Sequence, residues 1–211
     1  FYLGNGNGSV GRLIQSGGGL IASNNLIVGC LAGAYGVYSN TGGRTWCNQL
    51  RVGAAANATG AVYLAGGTLA ASGIAGASYI GEIGGASAKM FQSGGELIVS
   101  NTLVVGSATG AAGAFTNTGG SVWLSGTLYV GNSAGTSGKM FFNGSSLEAQ
   151  GGITVGNTAF STGELTIAGG WLPLTNANLT VGSSANSLGK LEICGGSNLF
   201  NNINAGSFGA A

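Results

Sequence analysis

Short runs in which hydrophobic and polar residues alternate, each closed by glycine, recur from one end of this chain to the other. A hydrophobic-x-hydrophobic-Gly signature ends at Gly4, Gly29, Gly53, Gly81, Gly106, Gly131, Gly156, Gly182 and Gly206. The spacings are 25, 24, 28, 25, 25, 25, 26 and 24 residues. Seven residues after each of the first eight lies Gly11, Gly36, Gly60, Ala88, Gly113, Gly138, Gly163 or Gly189. Six residues further on comes Gly17, Gly42, Gly66, Gly94, Gly119, Gly144, Gly169 or Gly195. These two intervals never change, so all length variation falls between the last glycine and the next signature. A unit with two rigid corners and one tolerant corner is what a loop-bearing scaffold produces.

Alternation with a period of two predicts strands, and no helical period competes with it. Two positions past the seven-residue corner stand Leu13, Tyr38, Val62, Met90, Phe115, Met140, Leu165 and Leu191, an apolar column that faces inward. Each coil thus carries three short strands, none of which can bury its apolar face alone. Stacking solves this, because each strand bonds to its equivalent in the next coil. The pattern predicts an all-β fold, one parallel β-solenoid domain over 1–211 with about eight coils of ~25 residues. At ~4.8 Å per rung it would be roughly 38 Å long. The crossover rule for parallel strands predicts right-handed coiling. Gln15, Asn40, Gln92 and Asn117 share one inward-phased column, where stacked amides can bond along a ladder. Lys139, Glu164 and Lys190 share another column in three successive coils, which spells either an ion-pair ladder or a solvated edge.

Units such as GELTIAGGWLPLTNANLTVGSSANSLG (163–189) follow G-x-L-x-I-x-G-G-x-L … L-x-V-G-x-S. This resembles the autotransporter-associated β-strand repeats of bacterial surface proteins, and the resemblance covers essentially the whole chain. It implies a passenger-type β-helix, export, and an extended extracellular or cell-surface structure. It implies no catalytic residues. Nothing reads as the long amphipathic strands of that family's membrane barrel.

Composition narrows the chemistry. Of 211 residues 45 are glycine, 5% are charged and 44% hydrophobic, and the net charge is +1, which leaves no basic footprint for nucleic acid. Glycine lacks a three-residue period, which excludes collagen. The apolar content is too high for a disordered linker. The chain starts at Phe1, as a processed or excised chain does, and shows no signal peptide. The uncharged stretch 61–81 is long enough for a membrane helix, but its apolar residues keep the phase of the repeat, so membrane insertion is not expected.

Two motifs suggest catalysis or nucleotide binding and fail on context. Gly131-Asn132-Ser133-Ala134-Gly135 fits the G-x-S-x-G elbow, yet the chain has no histidine to serve as base and no helix pattern follows. Gly6-Asn7-Gly8-Ser9-Val10-Gly11 has dinucleotide-fingerprint spacing, again with no following helix. All five acidic residues are glutamates (82, 96, 148, 164 and 192), scattered over different columns. Calcium-binding solenoid turns need aspartate, and glycosidases need paired carboxylates. No enzyme activity, cofactor or metal is expected. Cys30 and Cys47 can form a disulfide near the first coils if geometry permits. Cys194 is either buried or bonded to a neighbouring subunit, burial being the favoured reading. Asn7, Asn57, Asn143 and Asn178 begin Asn-x-Ser/Thr triplets, at a frequency that chance explains.

The outward-phased positions carry the functional expectation. Ile14, Tyr63, Phe91 and Phe141 fall in one column, Ile27, Tyr79, Val104 and Tyr129 in a second, and Trp46, Ile98 and Trp123 in a third. Aromatic columns make contiguous patches, and such patches mark interaction surfaces. The chain begins and ends within signatures without a polar cap, which predicts head-to-tail contact through Phe1, Tyr2 and Leu3 at one end and Ile203 and Phe208 at the other. The sequence therefore predicts a non-catalytic structural subunit of an extracellular filament, whose partner is itself. The alternative is a passenger or adhesin stalk binding surface glycans or host proteins.

Overall fold

A computed structural model describes residues 1–74 and 76–206. Every element among them is a β-strand, and all strands join one parallel sheet wound into a solenoid of about eight turns. Three ladders run along it. Face A holds the strands from Val10–Gln15 and Tyr35–Asn40 through Leu188–Ile193. Face B runs from Gly19–Ile21 and Arg44–Cys47 through the start of Ser197–Ala205. Face C begins at Tyr2–Leu3 and Leu26–Val28 and ends in the second half of Ser197–Ala205. Partners lie one coil apart throughout, as in Lys89↔Ala114 and Val105↔Val130.

The inward columns form one continuous core. Tyr38, Val62, Met90, Phe115, Met140 and Leu165 are buried in successive rungs of face A, facing Leu69, Leu97, Val122 and Leu147 from face B. Within the stretch 61–81 the described residues contribute to strands Thr59–Leu64, Thr68–Ala71 and Ser78–Ile80. No helix among the described residues is long and apolar enough to cross a membrane.

Three short strands per coil hold only in part. Ser87–Val99 and Ala112–Leu124 run through the corner between faces A and B as single strands, with register shifts at Gln92, Ser93 and Glu96. Trp171–Val181 joins faces B and C in the same way. The glycine corners there turn without giving up their inter-coil pairing, as Ser93↔Gly119 shows.

Two corner positions explain the invariant spacing. The glycines seven residues past each signature sit against the backbone of their own and the preceding coil. A Cβ at Gly113 would lie 2.1 Å from the Ile80 carbonyl oxygen and 2.4 Å from the Gly106 nitrogen. Within the same corner every coil forms a turn closed by an N–H donated to the carbonyl three residues earlier, for example Thr136 to Ser133 at 3.1 Å and Ser161 to Thr158 at 3.0 Å. One residue of each turn is left-handed: Gly135 has φ +69°. At the matching position Phe160 has φ +62°, a conformation that costs an L-residue roughly 1–2 kcal/mol.

The amides of the inward column do not bond to one another, contrary to the stacked-amide expectation. Leu64 interrupts the column between Asn40 and Gln92. Each amide instead reaches sideways to the corner between faces A and B. Gln92 Nε2 donates to the Gly95 and Ser121 carbonyls (3.3 and 2.9 Å), Asn117 Nδ2 to Gly119 (3.2 Å), and Asn40 Oδ1 accepts from the Gly42 N–H at 3.0 Å. Gln15 Oε1 accepts from Tyr38 and Thr45 hydroxyls at 2.7 and 2.5 Å, while Nε2 donates to Gly18 and Arg44 carbonyls at 3.3 and 3.2 Å. The corner places backbone carbonyls and N–H groups beside the inward column, and a buried amide left unpaired is costly, so each amide turns toward them.

Candidate assembly faces

On face A the outward column reads Ile14, Ser39, Tyr63, Phe91, Thr116, Phe141, Thr166 and Glu192, one residue per rung. Tyr63 and Phe91 occupy adjacent rungs with ring centroids 5.4 Å apart and planes within 9°. The two rings therefore stack along the solenoid axis and point their edges outward. Tyr63, Phe91 and Phe141 remain 42%, 38% and 36% exposed. Phe141 stands alone, with Thr116 below it and Thr166 above. Beside the stack lies a shallow depression lined by Tyr35, Thr59, Ser87 and Lys89 along with the two rings.

The next outward column on the same face reads Arg12, Val37, Ala61, Lys89, Ala114, Lys139, Glu164 and Lys190. Glu164 bridges Lys139 at 3.2 Å and Lys190 at 2.9 Å, so this column is an ion-pair ladder at its far end. Lys190 first, then Lys139, hold the Glu164 carboxyl below its ordinary range. Lys190 also meets Glu192 at 3.2 Å. Lys89 makes no ion pair among the described residues.

The other two aromatic columns are less open. Tyr79 and Tyr129 flank Val104 on face C, and both are only half-exposed, while Ile27 and Val104 are buried despite pointing outward. Small side chains in this column are shielded by larger ones on the rungs above and below. Arg51, between Ile27 and Tyr79, makes a two-pronged ion pair with Glu82. On face B, Ile21, Trp46, Ala70, Ile98 and Trp123 form an unbroken apolar column, with Trp46 and Trp123 half-buried. The Arg44 guanidinium covers the Trp46 ring at 4.9 Å from its centroid.

The two ends differ from the expected set. Phe1 and Tyr2 are exposed, but Leu3 is 6% exposed, packed into the first rung of the core. Ile203 is exposed on the last described rung, and Phe208 lies outside the described residues.

The cysteines are all free thiols. Cys47 is an inward residue of face B, with Sγ 3.7 Å from the Ala70 carbonyl, and burial pushes its pKa up to about 11. Cys30 follows the signature glycine at a corner and is half-buried, so the pairing of Cys30 with Cys47 is absent from the structure. Cys194 corrects the favoured burial. It falls one residue past the inward Ile193, on the outer side of the chain, where it is exposed and 3.6 Å from a Glu192 oxygen.

Ser133 of the G-x-S-x-G motif supplies its carbonyl to the corner turn, accepting from the Thr136 N–H and, at 2.7 Å, from Thr136 Oγ1. Among the described residues no three His, Cys, Asp or Glu side chains converge as a metal site. Comparison with protein-family models, with curated proteins and with solved structures found no match.

Proposed function

We propose that this chain is a non-catalytic structural element of an extracellular or cell-surface assembly, a rigid solenoid that associates through its faces and by end-to-end stacking of solenoids. The observation that carries the reading is the face A column, where Tyr63, Phe91 and Phe141 stay exposed on a sheet whose inward columns already supply a continuous core. Folding already covers more than half of each of these residues, and association would bury the apolar surface that remains in water. The repeat unit's resemblance to autotransporter-associated β-strand repeats supports export and a passenger-type architecture. Stacking along the axis would extend the parallel ladders by which each coil already pairs with the next. Negative-stain imaging of purified protein across a concentration series tests this. Ordered assemblies or filaments are expected, and discrete single rods at every concentration overturn it.

A second reading, a stalk that binds surface glycans, draws on the depression beside the Tyr63–Phe91 stack, where Thr59, Ser87 and Lys89 bring hydroxyls and an ammonium next to aromatic carbon. Binding of sugar polymers to immobilised protein that survives in the wild type and is lost in Tyr63→Ala favours it over assembly.

A further inference from the structure

We infer that face A is self-complementary and that two copies of this chain pair on it antiparallel, in one register. The inference rests on the structural reading above and names its partner. Two features of the face select the occupant. Phe91 and Phe141 are two rungs apart, about 10 Å at the usual strand spacing, with only Thr116 between them. That gap admits one aromatic ring. Lys89 meanwhile points outward without an anion, while Glu164 lies three rungs further along the same column.

A two-fold axis along the strand direction keeps each column facing its own column and reverses the rung order. Placed midway between the rungs of Thr116 and Phe141, it sets Phe141 into the Thr116 gap of the second copy, and Thr116 receives the second copy's Phe141. Phe91 then faces Thr166, so rings meet threonines throughout the centre. In the neighbouring column Lys89 meets Glu164 of the second copy, and Lys139 meets Ala114. In the third outward column Ala112 faces Ser137, both small enough for the sheets to approach.

Neighbouring registers fail. A slip of one rung in one direction puts Phe91 on Phe141 and Lys89 on Lys139. The opposite slip puts Phe141 on Phe141 and Lys139 on Lys139. Both oppose bulky rings and like charges, which is how an interface fixes register. Six overlapping rungs by one six-residue strand cover roughly 29 by 20 Å, or about 1,200 Å² in total from both copies, the lower end of specific interfaces. A concentration-dependent dimer is therefore expected rather than a permanent one.

The test uses the full chain with Cys30→Ser and Cys194→Ser to remove accessible native thiols. Sedimentation velocity should show a monomer–dimer equilibrium that weakens at least tenfold in Thr116→Trp, which fills the gap, and in Lys89→Glu. Mixing a tagged Ala112→Cys copy with an untagged Ser137→Cys copy should give a mixed disulfide in far greater yield than either homodimer. An unaltered dimer in Thr116→Trp, or a mixed cross-link no stronger than the homodimers, overturns this pairing while leaving assembly through another face standing. A chain that stays monomeric in sedimentation and shows no ordered assembly by imaging overturns both. Circular dichroism of each variant, matched to the parent, confirms that the fold is retained.

Discussion

Replacing Gln15 and Gln92 by leucine, one at a time, separates two amides that occupy the same column and differ only in how completely they are satisfied. Leucine suits the column, because Leu64 already fills it with 1% exposure. At Gln15 the change removes the two hydrogen bonds accepted by Oε1 and those that Nε2 shares among the Gly17, Gly18 and Arg44 carbonyls. Tyr38 and Thr45 keep each other at 2.6 Å, and the Gly18 carbonyl keeps the Arg44 N–H, so part of the loss is absorbed. At about 1 kcal/mol net per bond, with apolar gain set against it, the cost is roughly 2 kcal/mol. At Gln92 only Nε2 is bonded, and Oε1 is buried without a partner. Losing two bonds costs about 2 kcal/mol, but deleting an unsatisfied acceptor returns about 1–3 kcal/mol, so the net change is near zero. For a chain of this size a 2 kcal/mol difference corresponds to ~4–8 °C in Tm. Thermal melts followed by circular dichroism read that difference, and amide exchange at Gly18 and Arg44 localises it, which matters because repeat arrays can unfold piecewise. Equal Tm losses in the two variants, or a larger loss in Gln92→Leu, would refute the account of these amides as corner braces.

Other outcomes follow from the same geometry. Gly113→Ala drives a Cβ into the backbone of two coils and should cost about 3 kcal/mol, whereas Gly110→Ala, at φ +77° with its nearest contact 3.6 Å away, should cost only the left-handed penalty of about 1–2 kcal/mol. Urea denaturation distinguishes the two, and equal costs would remove the close-approach argument. Phe160→Asn relieves most of that penalty; the ring is 67% exposed, so the burial it surrenders is about 0.5–1 kcal/mol, and a small rise in Tm is expected. The Glu164 carboxyl is held below its ordinary value of about 4.5 by Lys190 and Lys139. Its contribution is fully present above that value and is lost as pH falls through the lower folded-state value. Glu164→Gln should therefore flatten the acid limb of a stability-against-pH curve there and leave neutral pH little changed, as fits an exposed ladder.

The fold was legible because its punctuation is redundant. The Gly113 and Gly106 columns repeat in nearly every coil, and a Cβ there would strike backbone, so the spacing could not drift. Inward columns such as Tyr38 to Leu165 were legible for the same reason, since phase alone assigns them. What escaped was everything decided by neighbours one rung away or across a corner. The Gln15 side chain shares a column with Asn40, but its direction is set by corner carbonyls that sequence phase does not reveal. Val104 has an outward phase and is nonetheless buried, because Tyr79 and Tyr129 flank it. Cys194 misled because a small thiol near a core strand resembles a buried one until its register is known. Phe160 gave no warning: five other coils place glycine at that turn position and two place asparagine, and only the backbone angle shows that phenylalanine obeys the same constraint.

Pro173 gives the solenoid a mechanical seam. Having no N–H, it cannot donate to the coil below, and between the sixth and seventh coils face B keeps the single pairing Ser146↔Trp171, where the rung below has four. An open cleft lined by Glu148, Gln150, Pro173, Thr175 and Asn176 lies at the same level. Because the inter-coil hydrogen bonds run along the axis, a pull on the two ends loads the rungs in series, and the rung with fewest bonds yields first. A solenoid pulled along its axis would part between those two coils, and the stacked aromatics of face A would stay together on the Phe1 side of the break.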